Sequence, residues 1–246
     1  MLLKIIRLLC KVITLPNVSP PQFLASVTCL NEAQLVLDAN VDIIDLKNPA
    51  EGALGALPLA TIQEIVKLIA KRKFVSATIG DLAMDPLLIE PSVQAISETG
   101  VDIVKIGFFG SENHVACALA LKKQILNGTK IVAVFFADQH PNFDFMHNLK
   151  AAGFYGVMLD TADKSSGGLL NHLSLEVLSA FTQKAKSFNL VSGLAGSLRV
   201  NDISLLNECC PDYLGFRGAL CDSLNRRSEM LLNQVLNVKD TLLLSF

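Results

Sequence analysis

From Pro21 onward the chain alternates short β-branched or apolar runs with segments of helical period, eight times in succession. The runs are Gln22 to Val27, Asp42 to Lys47, Lys73 to Ile79, Asp102 to Gly107, Lys130 to Phe136, Gly156 to Asp160, Asn189 to Ala195 and Asp212 to Phe216. Such alternation is the pattern of βα units laid around a parallel sheet. Between the second and third runs, Ile62, Ile65, Val66 and Ile69 keep i, i+3, i+4, i+7 spacing behind Pro58, which predicts an amphipathic helix with one buried face. Gly100 and Gly153 stand where helix C-caps release the chain into the next strand, and Asn31, Ser174 and Asn201 are the expected N-caps. Eight such units in about 225 residues is the size of one (β/α)8 barrel. The fold class expected is therefore α/β: a single TIM-type barrel over residues 23–246, preceded by an extension over residues 1–22. A doubly wound open sheet is the alternative, disfavoured because no G-x-G-x-x-G follows the first run.

Composition narrows the function classes. Hydrophobic residues make up 51% of the 246 positions and charged residues 18%, enough for one large core and incompatible with wholesale disorder. Lys plus Arg (21) against Asp plus Glu (23) leaves a net charge of -2, far from the basic excess that phosphate backbones require. Nucleic acid is not expected as a partner. The six cysteines (Cys10, Cys29, Cys117, Cys209, Cys210, Cys221) form no C-x-x-C pair and read as thiols of a reducing cytoplasm. The four histidines (His114, His140, His147, His172) show no metal-binding cluster, so neither a metal nor an organic cofactor is expected. Residues 1–15 are strongly apolar, but Lys4, Arg7 and Lys11 interrupt them at one-face helical spacing. The stretch is too short and too charged for a transmembrane span or a signal peptide. It reads as a helix packed on the body or on a partner subunit of a homo-oligomer, with a helix lying on a membrane surface as the alternative.

In a barrel of this kind, chemistry sits at the C-terminal ends of the strands. Four such ends are ionisable where a structural strand is apolar: Asp45 and Lys47 on the second, Lys105 on the fourth and Asp160 on the sixth. Alternation along a strand puts Asp45 and Lys47 on one face, and likewise aims Lys105 at the barrel axis, so two lysines share a mouth. A lysine in a low-dielectric pocket beside another cation loses its proton more readily, which supplies the neutral amine that attacks a carbonyl to form an imine. Nearby carboxylates handle protons. An isolated lysine at a strand end is more simply an ion pair; two lysines with two aspartates favour catalysis.

Glycines mark a second constellation, Gly193-Leu194-Ala195-Gly196-Ser197 after the seventh run and Gly215-Phe216-Arg217-Gly218 after the eighth. Loops at these places bind phosphate through backbone N–H groups, and Arg217 adds a cation. The substrate class expected is thus a small phosphorylated molecule, with Gly193, Ala195, Gly196, Ser197, Gly215, Arg217 and Gly218 as its binding residues. After Asp160, the segment Thr161 to Gly168 carries Lys164, hydroxyls and glycines, suited to a second anion or a lid. Asp81, Asp138 and His140 also follow strand ends, without comparable support for a direct role. Pro49, Gly52 and Gly55 fix the shape of the loop beside Lys47.

Six ordered blocks give the chain a specific resemblance: DIIDLKNPAEGALGA (residues 42–56), VSATIGD (75–81), DIVKIGFFG (102–110), MLDTADK (158–164), LAGS (194–197) and GFRGALC (215–221). The sequence resembles the (5-formylfuran-3-yl)methyl phosphate synthases, also called 4-(hydroxymethyl)-2-furancarboxaldehyde-phosphate synthases. The resemblance implies a barrel lyase of the carbon–oxygen type acting on phosphates. It condenses two molecules of glyceraldehyde 3-phosphate, with loss of one phosphate and of water, to a furan aldehyde phosphate on the route to methanofuran-type one-carbon carriers. By the same resemblance Lys47 matches the imine-forming lysine and Lys105 the proton acceptor, while Asp45, Asp160 and Lys164 match further active-site residues. The first 22 or so residues are an addition to the family's usual start, and residues 130–148 match less clearly. Two rival readings stay open: another aldolase or isomerase of triose phosphates, and a barrel that binds phosphometabolites without catalysis.

Overall fold

A computed structural model of the chain describes residues 19–110 and 112–245. The helix expected over residues 1–15 lies outside the described residues. Eight strands form a closed, all-parallel barrel in sequence order: β1 (Gln22–Val27), β2 (Ile43–Leu46), β3 (Phe74–Thr78), β4 (Ile103–Gly107), β5 (Lys130–Phe136), β6 (Gly156–Asp160), β7 (Val191–Leu194) and β8 (Tyr213–Phe216). β8 pairs with β1 to close the ring. All eight runs expected from sequence are strands, and the open-sheet alternative is excluded.

The strands of the second, fourth and eighth runs begin one residue later than the pattern suggested, for one shared reason. Asp42, Asp102 and Asp212 turn their carboxylates sideways to accept the backbone N–H of Phe23, Val75 and Ser192 on the preceding strand, at 2.9, 2.9 and 2.7 Å. Each carboxylate satisfies an amide at the N-terminal rim that the ladder leaves unpaired.

Alternation along each strand divides the core in two. Inward residues Leu24, Ile43, Ile103, Val132, Val134, Phe136, Met158 and Tyr213 fill the barrel. Outward residues such as Ile44, Val104, Val157 and Leu214 pack on the helical layer. There the helix Leu59–Ile69 buries Ile62, Ile65 and Ile69 and half-buries Val66, the face its spacing marked. Ser174 stands at the N-cap of the helix Leu175–Ser187, and Gly153 closes Met146–Ala152 in the left-handed region at φ 93°. Two expected caps are corrected. Asn31 lies inside the helix Leu30–Asp38, because Glu32 reaches back to accept from the Thr28 N–H and hydroxyl and so starts the helix at Leu30. Asn201 lies in a 3-10 turn (Val200–Asp202), where Asp202 instead accepts from the Arg199 N–H at 2.7 Å.

Gly193 owes its identity to packing. A Cβ there would stand 2.2 Å from the ring atoms of Tyr213, which is buried on the neighbouring strand and occupies the space a side chain would need. Gly193→Ala is therefore expected to destabilise the barrel by about 1–3 kcal/mol, read as a lower urea midpoint. An unchanged midpoint would show that the Tyr213 ring moves aside freely.

Candidate active site

Inward positions at the C-terminal ends of β1, β2, β6, β7 and β8 surround a cavity of about 220 Å³. Asp45, Lys47, Asp160 and Lys164 all line it, together with Ala195, Gly196, Ser197, Gly215, Arg217 and Gly218. Gly193 does not: it stands below, beside the Tyr213 ring. Nor does Lys105, which faces a smaller void of about 40 Å³ further down the barrel axis with Ser76, Tyr155 and Tyr213. The two lysines therefore share the axis at different depths rather than one mouth.

Asp45 joins the two depths. Its Oδ1 accepts from Lys105 Nζ at 2.6 Å and from the Ser76 hydroxyl at 2.6 Å, and its Oδ2 accepts from the Ser26 hydroxyl at 2.8 Å. Register explains the serines, since Ser26, Asp45 and Ser76 are direct neighbours across β1, β2 and β3. Burial alone pushes the Asp45 carboxyl upward, but the charges of Lys105 and Lys47 outweigh it and hold the group below the usual carboxylate range. Burial draws Lys105 below the ordinary lysine value, with Asp45 opposing and Lys47 reinforcing that shift.

Asp160 organises the upper level. Its Oδ2 accepts from Lys47 Nζ at 3.1 Å, while its Oδ1 accepts from Lys164 Nζ and from the Thr161 N–H at 2.8 Å. Lys164 completes its three donations on the carbonyl and hydroxyl of Thr161, one turn back. Burial raises the Asp160 carboxyl and the two ammonium groups more than reverse this, leaving it well below its ordinary value. Lys164, mostly buried, is drawn below the ordinary lysine value by desolvation against the pull of Asp160.

Two aspartates without a sequence-assigned role hold the loops that carry this chemistry. Asp81 accepts from the N–H groups of Ala53 and Leu54, both at 2.7 Å, and so fastens the loop after Lys47. Gly52 in that loop adopts φ 113°, and a Cβ there would stand 2.1 Å from the Asp81 carboxylate, so both space and backbone require glycine. Asp138 accepts from the N–H groups of Ala162 and Asp163 at 2.8 and 2.7 Å and fastens the loop after Asp160. His140 is exposed at a left-handed turn outside the cavity lining.

The features expected to bind an anion are unevenly distributed. Among the described residues, the backbone N–H groups of Gly196, Ser197, Leu198 and Gly218 have no acceptor, and all four residues line the cavity. Arg217 is more committed than its sequence position suggested. Its terminal nitrogens donate to both oxygens of Glu32 at 2.6 and 3.0 Å, and its Nε donates to the Arg226 carbonyl at 2.9 Å. Arg217 thus braces β8 to the first helix with its charge already matched. Sequence reasoning passed over two further lining cations, Arg199 and Arg226. Among the described residues no group of three or more His, Cys, Asp or Glu side chains is placed to hold a metal ion. No helix among them is long and apolar enough to cross a membrane.

Comparison with known proteins places these features in context. The profile of the family described as 4-HFC-P synthase matches residues 23–239. The (5-formylfuran-3-yl)methyl phosphate synthase of Methanopyrus kandleri is 33% identical over 218 residues, spanning 84% of this chain and 92% of its own. That of Methanobrevibacter smithii is 33% identical over 201 residues, spanning 77% and 85%. A Methylorubrum extorquens protein that carries the same name provisionally is 40% identical over 210 residues, spanning 85% and 86%. Among solved structures, 3-hexulose-6-phosphate synthase from Salmonella typhimurium superposes with a TM-score of 0.65 at 15% identity, covering 92% of this chain and all (100%) of that one. Phosphoribosyl anthranilate isomerase from Thermus thermophilus gives 0.64 at 11% identity, covering 90% and 98%. Identities this low speak to the barrel alone.

The depressed Asp160 carboxyl has a consequence for stability. A carboxyl held lower in the folded chain than in the unfolded one stabilises above the unfolded value of about 3.9, and that contribution is lost as pH falls below it. Unfolding free energy measured by urea is expected to decline with acid below about pH 4, and Asp160→Asn is expected to make that decline shallower. An unchanged slope would show that the ion pairs persist in the unfolded chain.

Proposed function

The chain belongs to the 4-HFC-P synthase family, and we propose that its cavity joins two molecules of glyceraldehyde 3-phosphate into (5-formylfuran-3-yl)methyl phosphate. The observation that carries this reading is the pair of buried lysines at two depths of one barrel axis, linked by Asp45. One amine meets substrate and the other receives a proton.

Lys47 reaches the cavity from the end of β2 with its Nζ on Asp160. Its neutral amine adds to the aldehyde of one triose phosphate and expels water to form an imine. The imine acidifies the adjacent C–H. Asp45 lines the cavity above Lys105, so a proton taken from that carbon passes through the Asp45 carboxylate to the Lys105 amine. Loss of the proton drives the electron pair toward the phosphate-bearing carbon, breaking the C–O bond, and phosphate leaves with that pair. The elimination leaves an imine conjugated to an enol, and the terminal carbon of that enol attacks the carbonyl of the second triose, which has isomerised to its ketone form. Ring closure, dehydration and hydrolysis of the imine then release product and free Lys47. Atoms balance as two triose phosphates to one furan aldehyde phosphate, one phosphate and two waters, with no net oxidation. This makes the reaction a phosphate-eliminating carbon–oxygen lyase step.

The fixed carboxylates suit the task. Asp160 keeps Lys47 and Lys164 within reach of one another, which supports a role for Lys164 as the cation that stabilises the departing phosphate. The free amides of Gly196, Ser197, Leu198 and Gly218 suit the phosphate that the product retains.

Mass spectrometry of the small molecules formed from glyceraldehyde 3-phosphate alone tests the reading. Wild-type protein is expected to give a furan aldehyde phosphate and free phosphate, and Lys47→Ala none. Only dihydroxyacetone phosphate or a sugar bisphosphate would replace the synthase by an isomerase or aldolase. Lys105→Ala is expected to form an adduct that borohydride fixes, yet to make no furan. Because burial draws Lys105 below the ordinary lysine value, the rate is expected to rise with pH along a limb centred below about 10.4. Product formation without that limb in wild type would remove Lys105 as the proton acceptor.

A further inference from the structure

We propose that Arg226 forms a second phosphate site, separate from the glycine loops, and that this site holds the phosphate that leaves. The inference rests on the reaction proposed above and specifies where its second anion sits. Two triose phosphates bring two phosphate groups, each carrying about -1.5 to -2 at neutral pH, into one cavity before either is lost. The glycine-loop amides can seat one of them, and the other needs cations with charge to spare.

Most lining cations are already engaged: Arg217 is matched by Glu32, and Lys47 and Lys164 share the single charge of Asp160. Arg199 and Arg226 remain, and they stand differently. Arg199 follows Leu198 on the loop after β7, is exposed, and extends the amide site. Arg226 comes from the segment after β8 and crosses to the loop after β2, where its Nη2 donates to the carbonyls of Pro49 and, at 2.7 Å, Gly52. Its Nη1 and Nε have no acceptor among the described residues. The guanidinium is half-buried and lines the cavity with Pro49, two residues from Lys47.

Its charged surroundings point the same way. Asp160 and Asp81 attract it, while Arg227 and Arg217 repel it, and burial adds to the cost of its charge. Lys164 in turn feels Arg226 as a like charge. Lys164, whose carboxylate is shared with Lys47, and Arg226, with donors unspent, lie within electrostatic reach of each other at the cavity and together suit a dianion. A triose bound to Lys47 by its aldehyde carries its phosphate only two carbons further on, and Arg226 grips the loop that follows Lys47. Nη1 keeps two N–H donors for a phosphate while Nη2 stays on the loop carbonyls. Seating the leaving group there would therefore tighten the Lys47 loop at the moment of elimination.

The test is calorimetric titration with inorganic phosphate together with steady-state kinetics, using the full chain and two variants. Wild type is expected to bind two phosphates per chain. Arg226→Gln keeps a donor for the loop carbonyls but loses the charge; it is expected to bind one, and to show at least a tenfold higher KM for glyceraldehyde 3-phosphate. The borohydride-fixed adduct should survive in that variant. Arg226→Lys keeps the charge and is expected to hold the second phosphate more tightly than Arg226→Gln. One phosphate in wild type, two in Arg226→Gln, or a folded Arg226→Lys no better than Arg226→Gln would overturn the site, the last by showing that shape alone matters. If wild type binds two phosphates yet makes no furan, the anion site stands and the synthase reading falls.

Discussion

Two carboxylates placed inside a barrel govern the rest of this structure. Asp45 is fully buried and Asp160 nearly so, and between them they hold three ammonium groups drawn from β2, β4 and the loop after β6. An isolated charge in such a place is prohibitively costly, and a pair is tolerable only when nearly every donor and acceptor is used. The sequence meets that condition locally. Ser26 and Ser76 complete Asp45, and the Thr161 N–H completes one oxygen of Asp160. Because Lys47 and Lys105 are each held by a carboxylate on another strand, barrel closure and assembly of this ion-pair cluster are one event.

Around that centre the chain fastens its loops with backbone donors and acceptors. Asp81 and Asp138 bind pairs of N–H groups, while Arg217 and Arg226 bind carbonyls, and between them they fix the loops after β2, β6 and β8. Such contacts leave the lining side chain of Lys47 free of structural duty beyond its share in Asp160. They also explain why polar residues that never touch the cavity still shape it.

Much of this was legible in the residues themselves. The eight runs are visible because parallel strands buried on both faces read as continuous apolar stretches, so ionisable residues at their ends stand out. Asp45, Lys47, Lys105 and Asp160 were found that way, and the glycine loops by their place after β7 and β8. What escaped notice depends on pairing over distance. The match of Arg217 with Glu32 spans most of the chain, and Arg226 reaches the loop after β2 from a segment with no motif of its own. Depth escaped too: alternation puts Lys47 and Lys105 on inward faces, but only the pairing of Lys105 with Asp45, one inward position before Lys47, and its separate void show that one stands below the other. Gly193 illustrates the reverse error, a glycine in a promising position whose reason is the bulk of Tyr213.

Aspartates stand at the foot of β2, β4 and β8. Each ties its strand to the one before it by a bond that involves no residue of the upper rim. A barrel laced at its base in this way can exchange its upper loops without coming apart, because the two ends draw on separate sets of side chains. Evolution can then revise the chemistry at the mouth while leaving the hoop that holds the staves untouched.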